Sequence, residues 1–291
     1  MYSLLRNLLN SLFVKFVSLP LSKLNSARRV VQLLGLREGL AALRNHYFGS
    51  GGSRYRVNVF FGPTTKTFSL RAGTSDLSIL SNVILGELDV LKEPEAIGLA
   101  AASPSGLIID GGAHIGITAT ALSRMFPRSK VIAIEADPEN FSLLVENTRD
   151  ESKIMPVWGA LVGSNRANRQ KTITLNSRGN GYQGFTVLER PLDRPVAEVR
   201  SDSVPTLSLA NVVANSGVEP WLVKLDIEGG EKELMEEDFD TLVQIPAILI
   251  ELHERIAGPE VGASFVSLCD AKGFVQKDQY DKYLIISVTT T

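Results

Sequence analysis

In "LVKLDIEGGE" the polar residues Lys224 and Asp226 alternate with Leu225 and Ile227, so both side chains fall on one face of an extended segment. Burying a lysine and an aspartate together is costly unless they meet each other or a ligand. Glu228 and Glu231 follow at the entry to a helix and add negative charge beside its N-terminus. A second segment, "ILIELHE", puts Glu251 and His253 on one face at its end. Imidazole titrates near neutrality, so His253 is a candidate proton acceptor, with Asp226 or Glu228 as the alternatives. Asp226, Glu251 and His253 could instead gather a divalent metal. No paired-cysteine or HxxxH spacing supports that lesser reading, and no metal is expected.

An upstream stretch points to a ligand of a different kind. "LIIDGGAHIG" runs from apolar residues into Asp110 and then gives up its side chains at Gly111, Gly112 and Gly116. The G-x-G-x-x-G fingerprint of a dinucleotide site fails here, because Ala113 or His114 falls where its second glycine should be. What remains is D-x-G-x-x-x-G, in which an acid ends a strand and bare backbone allows close approach. Glu135 ends the next apolar run, "VIAIEA", at the distance where an acid typically grips ribose hydroxyls. The two acids together favour a nucleoside ligand over a helix cap and a solvated strand end.

These residues need a scaffold that brings strand ends together. From "GLIIDGG" onward, apolar strands alternate with helices through "KVIAIEA", "IMPVWGALV", "WLVKLDIEG", "AILIELHE" and "YLIISVTT". Continuous apolar strands separated by helices predict a parallel sheet covered on both faces, an α/β doubly wound fold. Ligands of such sheets lie beyond the carboxyl ends of the strands. Before this core, "RYRVNVFFG" and "KTFSLRAG" alternate like a β-hairpin across "PTT", and Thr74, Ser75 and Asp76 offer caps to a following helix. Three regions are expected: a basic amphipathic helical extension over 1–50, the hairpin and its helix over 51–95, and the ligand-binding domain over 96–291. About 163–205 breaks the alternation and reads as an inserted hairpin with a long loop. Its Arg178, Asn180 and Tyr182 are candidates for holding a polar substrate.

The net charge of −2 over 291 residues gives no pull towards nucleic acid, which is not expected as a partner. Residues 1–46 carry seven lysines and arginines against Glu38 alone. Leu4, Leu5, Leu8, Leu9, Leu12, Phe13 and Phe16 recur there at helical spacing. That helix suits packing on the protein or a partner subunit, or contact with a membrane surface, but not a membrane span. The single cysteine, Cys269, excludes an internal disulfide and fits a cytoplasmic protein.

"IIDGGAHIGITA", "VIAIEADPENFSLLVENT", "LVKLDIEGGEKELM" and "ILIELHE" resemble the successive motifs of the FkbM family of S-adenosylmethionine-dependent methyltransferases. "LRAGTSDLSILSNVILGEL" is similar to the segment preceding that family's first core strand, so the resemblance runs from about residue 55 to the end. Its most specific stretch is K-x-D-x-E-G at Lys224, Asp226, Glu228 and Gly229. The resemblance implies a class I methyltransferase (Rossmann-like) sheet, mostly parallel with an antiparallel last strand. It implies S-adenosylmethionine as cofactor, with Asp110, Gly112, His114 and Gly116 at its amino-acid end and Glu135 and Ala136 at its ribose. Gly159 and Ala160 would lie near its adenine, where Trp158 could stack. The acceptor implied is a hydroxyl of a sugar or other small molecule, served by Asp226, His253, Glu228 and Lys224. The alternative is a non-catalytic nucleoside-binding or scaffold protein on the same fold.

Overall fold

The computed structural model describes residues 21–61, 64–103, 106–177, 185–188, 196, 198–199, 203–277 and 282–287. They fall into two compact units that divide after Leu85. Arg178, Asn180 and Tyr182, and the leucine stripe of the first helix, lie outside the described residues.

In the first unit a helix over Leu21–Phe48 buries Ala27, Val30, Leu34, Ala42 and Leu43 on one side. It breaks direction at Gly35, whose φ of 78° is left-handed. Strands β1 (Arg54–Phe61) and β2 (Thr64–Arg71) pair antiparallel, the hairpin that their alternation predicts. Asp76 opens the Asp76–Asn82 helix without capping it. Its buried carboxylate turns back instead to the Arg71 guanidinium at 2.9 Å and to the Arg71 N–H, so the expected cap is an ion pair. No helix among the described residues is long and apolar enough to cross a membrane.

The second unit is built on one seven-stranded sheet. Its strands are β3 (Leu107–Gly111), β4 (Lys130–Glu135), β5 (Ile154–Trp158), β12 (Pro220–Leu225), β13 (Ala247–Glu251), β14 (Gly273–Lys277) and β15 (Lys282–Ser287). The order across the sheet is β14-β15-β13-β12-β3-β4-β5, with β15 antiparallel to both neighbours and the central pairs parallel. The strand order reverses between β3 and β12, and their carboxyl ends are where a crevice forms. β3 and β12 are buried along their whole length, which is why they read as unbroken apolar runs. Ile109, Ile134, Val223, Leu225 and Ile250 pack there against Leu234, Leu242, Val261 and Leu268 of the covering helices. Each such side chain contributes about 1.5–3 kcal/mol of burial.

Three details differ from the sequence expectation. "GFVQK" forms β14, an edge strand that follows its helix without a loop. "EKELMEEDFDTLV" is two helices, Glu231–Glu237 and Phe239–Gln244, because the Asp238 carboxylate binds Ser164 and the Ala210 N–H at the break. The 163–205 region holds more than a hairpin. It has the Ser164–Arg169 helix and short strands β7 (Thr172–Ile173), β8 (Asn176–Ser177), β9 (Phe185–Thr186) and β10 (Glu198–Val199), flanked by β6 (Ala160–Leu161) and β11 (Val204–Leu207).

Candidate active site

Asp110, Glu135, Lys224, Asp226 and Glu251 all stand at or just past the carboxyl ends of β3, β4, β12 and β13. The turn after β3 is shaped by the protein itself. A Cβ on Gly112 would sit 1.8 Å from the Asp226 carbonyl oxygen, and φ there is 76°. On Gly116 it would meet Leu144 and Thr148 at 2.8 and 2.9 Å, and on Gly159 it would meet Leu207 at 2.7 Å. The glycines therefore let neighbouring chain approach the turn closely. Their N–H groups are also spent, Gly112 donating to Ile134, Gly116 to Ala113 and Gly159 to Glu135. β6 carries Ala160 into the small apolar cluster of Val162, Ala167 and Ile173, against which Ala136 also packs.

Asp110 is fully buried, and neither of its carboxylate oxygens accepts a hydrogen bond. Its ion partner is Lys224 at 3.2 Å, whose Nζ also donates to the Gly112 carbonyl at 3.0 Å. Burial pushes the Asp110 carboxyl up against the pull of Lys224. Burial opposes the Lys224 charge as well, but Asp110 and Asp226 outweigh it and hold the ammonium protonated.

Glu135 accepts from the His114 N–H at 2.9 Å, the Asp137 N–H at 2.9 Å and the Asn140 amide at 3.3 Å. A carboxylate offers about four lone-pair sites, so the bidentate grip expected on a diol is reduced to roughly one free site. Burial, opposed by those bonds, raises its carboxyl to about 7. His114 itself takes a left-handed φ of 50°, which aims its N–H at Glu135. Trp158 is half-exposed with its indole N–H held by the Ala136 carbonyl at 3.0 Å, so the ring is fixed at the edge of β5.

The far side of the crevice is a denser network. His253 Nδ1 lies 2.8 Å from Glu231, which is fully buried and also accepts the Ile227 and Gly229 N–H groups at 2.9 Å. His253 Nε2 faces oxygens of Asp226 at 3.7 Å, Glu228 at 3.8 Å and Glu251 at 3.7 Å. Burial disfavours the imidazolium, but Glu231 foremost, then Asp226 and Glu228, reverse this and lift His253 to about 10. The carboxylates around His253 therefore favour a positive charge beside them. Asp226 goes the other way: burial alone would raise it, yet Lys282 and Lys224 hold it far below the usual carboxylate range.

Lys282 escaped the sequence reading. Its ammonium binds Glu251, Asp226 at 3.1 Å and Glu87 at 3.4 Å. The signal was available, since an antiparallel last strand begins where its parallel neighbours end, and Lys282 pairs opposite Glu251. Glu231 read only as a charge near a helix end, because its partner His253 is 22 residues away.

The donor set fits a cofactor with an ammonium at one end and hydroxyls at the other. Asp110 Oδ2 is buried without a hydrogen bond among the described residues, Glu135 keeps acceptor capacity, and Trp158 presents a fixed ring. No curated protein matches the chain. Among solved structures, the fibrillarin pre-rRNA processing protein of Methanococcus jannaschii is similar over 82% of this chain and 91% of its own, at 13% identity and a TM-score of 0.41. Fibrillarin of Aeropyrum pernix with natively bound S-adenosyl-L-methionine matches 66% of this chain and 74% of its own, at 14% identity and a TM-score of 0.35. The precorrin-6y C5,15-methyltransferase of Geobacter metallireducens matches 66% and 84%, at 13% identity and a TM-score of 0.34. The methyltransferase FkbM domain model matches residues 110–274, from the acid that ends β3 through the start of β14. That span is more than half of the sequence and contains all the crevice acids except Glu87, and by it this chain belongs to the FkbM methyltransferase family.

Proposed function

We propose that the protein transfers a methyl group from S-adenosylmethionine to a hydroxyl of a sugar or another small molecule. The observation that carries this reading is the meeting of two kinds of group at one sheet edge. Asp110 and Glu135 suit a nucleoside with an ammonium end, and Asp226, Glu228, Glu251 and His253 form a polar wall beside them. When bound, the cofactor supplies a methyl carbon on a sulfonium, which a nucleophile attacks from behind.

What the chain contributes is alignment and charge. Asp110 would hold the ammonium end and Glu135 one ribose hydroxyl, while Trp158 would lie against the base. Asp226 Oδ1 points away from the two lysines and can accept the hydrogen bond of an acceptor hydroxyl, orienting it and, as a weak base, taking its proton only late, once attack has made that oxygen strongly acidic. Lys224 and Lys282 keep Asp226 ionised and in place, so both act as positioning residues.

Isothermal titration with S-adenosylmethionine and a labelled-methyl assay on sugar and small-molecule alcohols test the reading. Asp110→Asn should lose cofactor binding. Asp226→Asn should keep it and lose about 10²–10⁴-fold in turnover, the usual share of proton transfer. An Asp226→Asn protein that methylates normally, or a wild type that binds no cofactor, would end the proposal.

A further inference from the structure

We infer that Asp226, Glu251 and His253 form a divalent-cation site, set beside the acceptor position of the proposed transferase and resting on that reading for its role. Each of the three offers one ligand atom, and those atoms lie within 4.8 Å of one another. His253 Nε2 is 3.7 Å from Asp226 Oδ1 and 3.7 Å from Glu251 Oε1. Those separations are too long for hydrogen bonds, which end near 3.2 Å. They match ligand atoms around one ion: with bonds of about 2.1 Å, neighbouring ligands stand about 3 Å apart at right angles and about 4 Å apart when opposed.

Two further features separate this cluster from a set of surface acids. The imidazole is oriented by its other nitrogen, since Nδ1 is held at 2.8 Å by the fully buried Glu231, leaving Nε2 as the ligand atom. A carboxylate behind a histidine is the arrangement that fixes tautomer and ring direction in metal sites. The carboxylates are divided in the same sense. Lys282 binds Asp226 Oδ2 and Glu251 Oε2, so the oxygens turned to His253 are the ones it does not hold. A cation can therefore enter without displacing the lysine. Access is open, because the Asp226 and Glu251 side chains keep 26% and 30% of their surface in solvent.

One imidazole and two carboxylates suit a manganese- or zinc-like ion and leave coordination positions open. An ion held beside the acceptor position would take Asp226 Oδ1 as a ligand, so that Asp226 would orient the hydroxyl through the ion, which would lower the cost of its losing a proton. Glu228, 3.8 Å from Nε2, is close enough to join.

The test uses the full chain, stripped with chelator, and Mn2+ alone. Electron paramagnetic resonance of free Mn2+ should show one ion bound per chain. Binding should fall at least tenfold in Glu251→Gln and in His253→Gln. Bound Mn2+ should also raise the unfolding temperature of the wild type, a readout that stands even if a variant misfolds. A wild type that leaves the Mn2+ signal and its own unfolding temperature unchanged overturns the site. So does a folded Glu251→Gln, His253→Gln double variant that binds Mn2+ as well as the wild type. S-adenosylmethionine binding measured without Mn2+ is the separate arm: if it persists while Mn2+ fails to bind, the cation is wrong and the methyltransferase reading survives.

Discussion

Glu135 should make cofactor binding depend on pH, and the dependence should vanish when its charge is removed. The carboxyl is buried and titrates at about 7, above its ordinary 4.5. Only the ionised form can use its remaining lone-pair site fully as an acceptor of a ribose hydroxyl. At pH 6 about one molecule in ten is ionised and at pH 8 about nine in ten, so the apparent Kd should improve about tenfold across that interval. Glu135→Gln keeps shape and neutral acceptor capacity but cannot ionise. Its Kd at pH 8 should be weaker by the worth of a hydrogen bond to a charged group, about 1.5–3 kcal/mol or about 10–150-fold, and flat with pH.

The same residue makes an independent statement about stability. A carboxyl raised by folding holds a proton that the unfolded chain has released between 4.5 and about 7. Its contribution is complete below 4.5 and is lost as pH rises to about 7, a decline of about 3 kcal/mol in the wild type that Glu135→Gln should abolish. Calorimetric titration of the cofactor at pH 6, 7 and 8, beside urea unfolding from pH 4.5 to 8, measures both. A wild-type Kd that varies less than twofold, or a Gln variant with the wild-type pH profile, would refute the placement of Glu135 at the ribose.

Other perturbations follow from the same geometry. Gly112→Ala should cost more than about 2 kcal/mol and often prevent folding, since its Cβ would meet the Asp226 carbonyl at 1.8 Å with φ at 76°. Gly98→Ala, in the Pro94–Ala102 helix with nothing within 4 Å of the added atom, should instead stabilise by about 0.5–1 kcal/mol; urea unfolding distinguishes the two. Lys282→Met should lose about 3–5 kcal/mol of stability by leaving Asp226, Glu251 and Glu87 without their shared cation. A variant within 1 kcal/mol of the wild type would mean that solvent already screens that network.

How far the sequence carried depended on whether a residue's role was local or came from packing. The strands β3, β4, β12 and β13 were legible because burial on both faces leaves an unbroken apolar run. Strand ends then placed Asp110, Glu135, Asp226 and His253 on one edge without further information. Edge strand β14 was not legible, because a strand at a sheet margin needs neither alternation nor an apolar run. The reason for each glycine was hidden for the same cause. A sequence shows that a side chain is missing but not what fills its place, and here the filler is the Asp226 carbonyl, helix residues Leu144 and Thr148, and Leu207. His253 shows the limit most sharply. The sequence put it on the face of β13, but that strand ends at Glu251 and His253 precedes the Glu254–Ala257 helix, where the buried Glu231, 22 residues earlier in the chain, orients its ring. The K-x-D-x-E-G-G-E run thus has a physical reading that spacing could not supply. Lys224 braces the turn after β3, Asp226 and Glu228 face the crevice, Gly229 adopts φ of 103°, and Glu231 reaches back to fix the histidine of the next strand. Within eight residues, one segment joins the cofactor side of the crevice to the acceptor side, and Lys224 touches both Asp110 and Asp226, so a Lys224 substitution should disturb binding and turnover together where Asp226→Asn separates them.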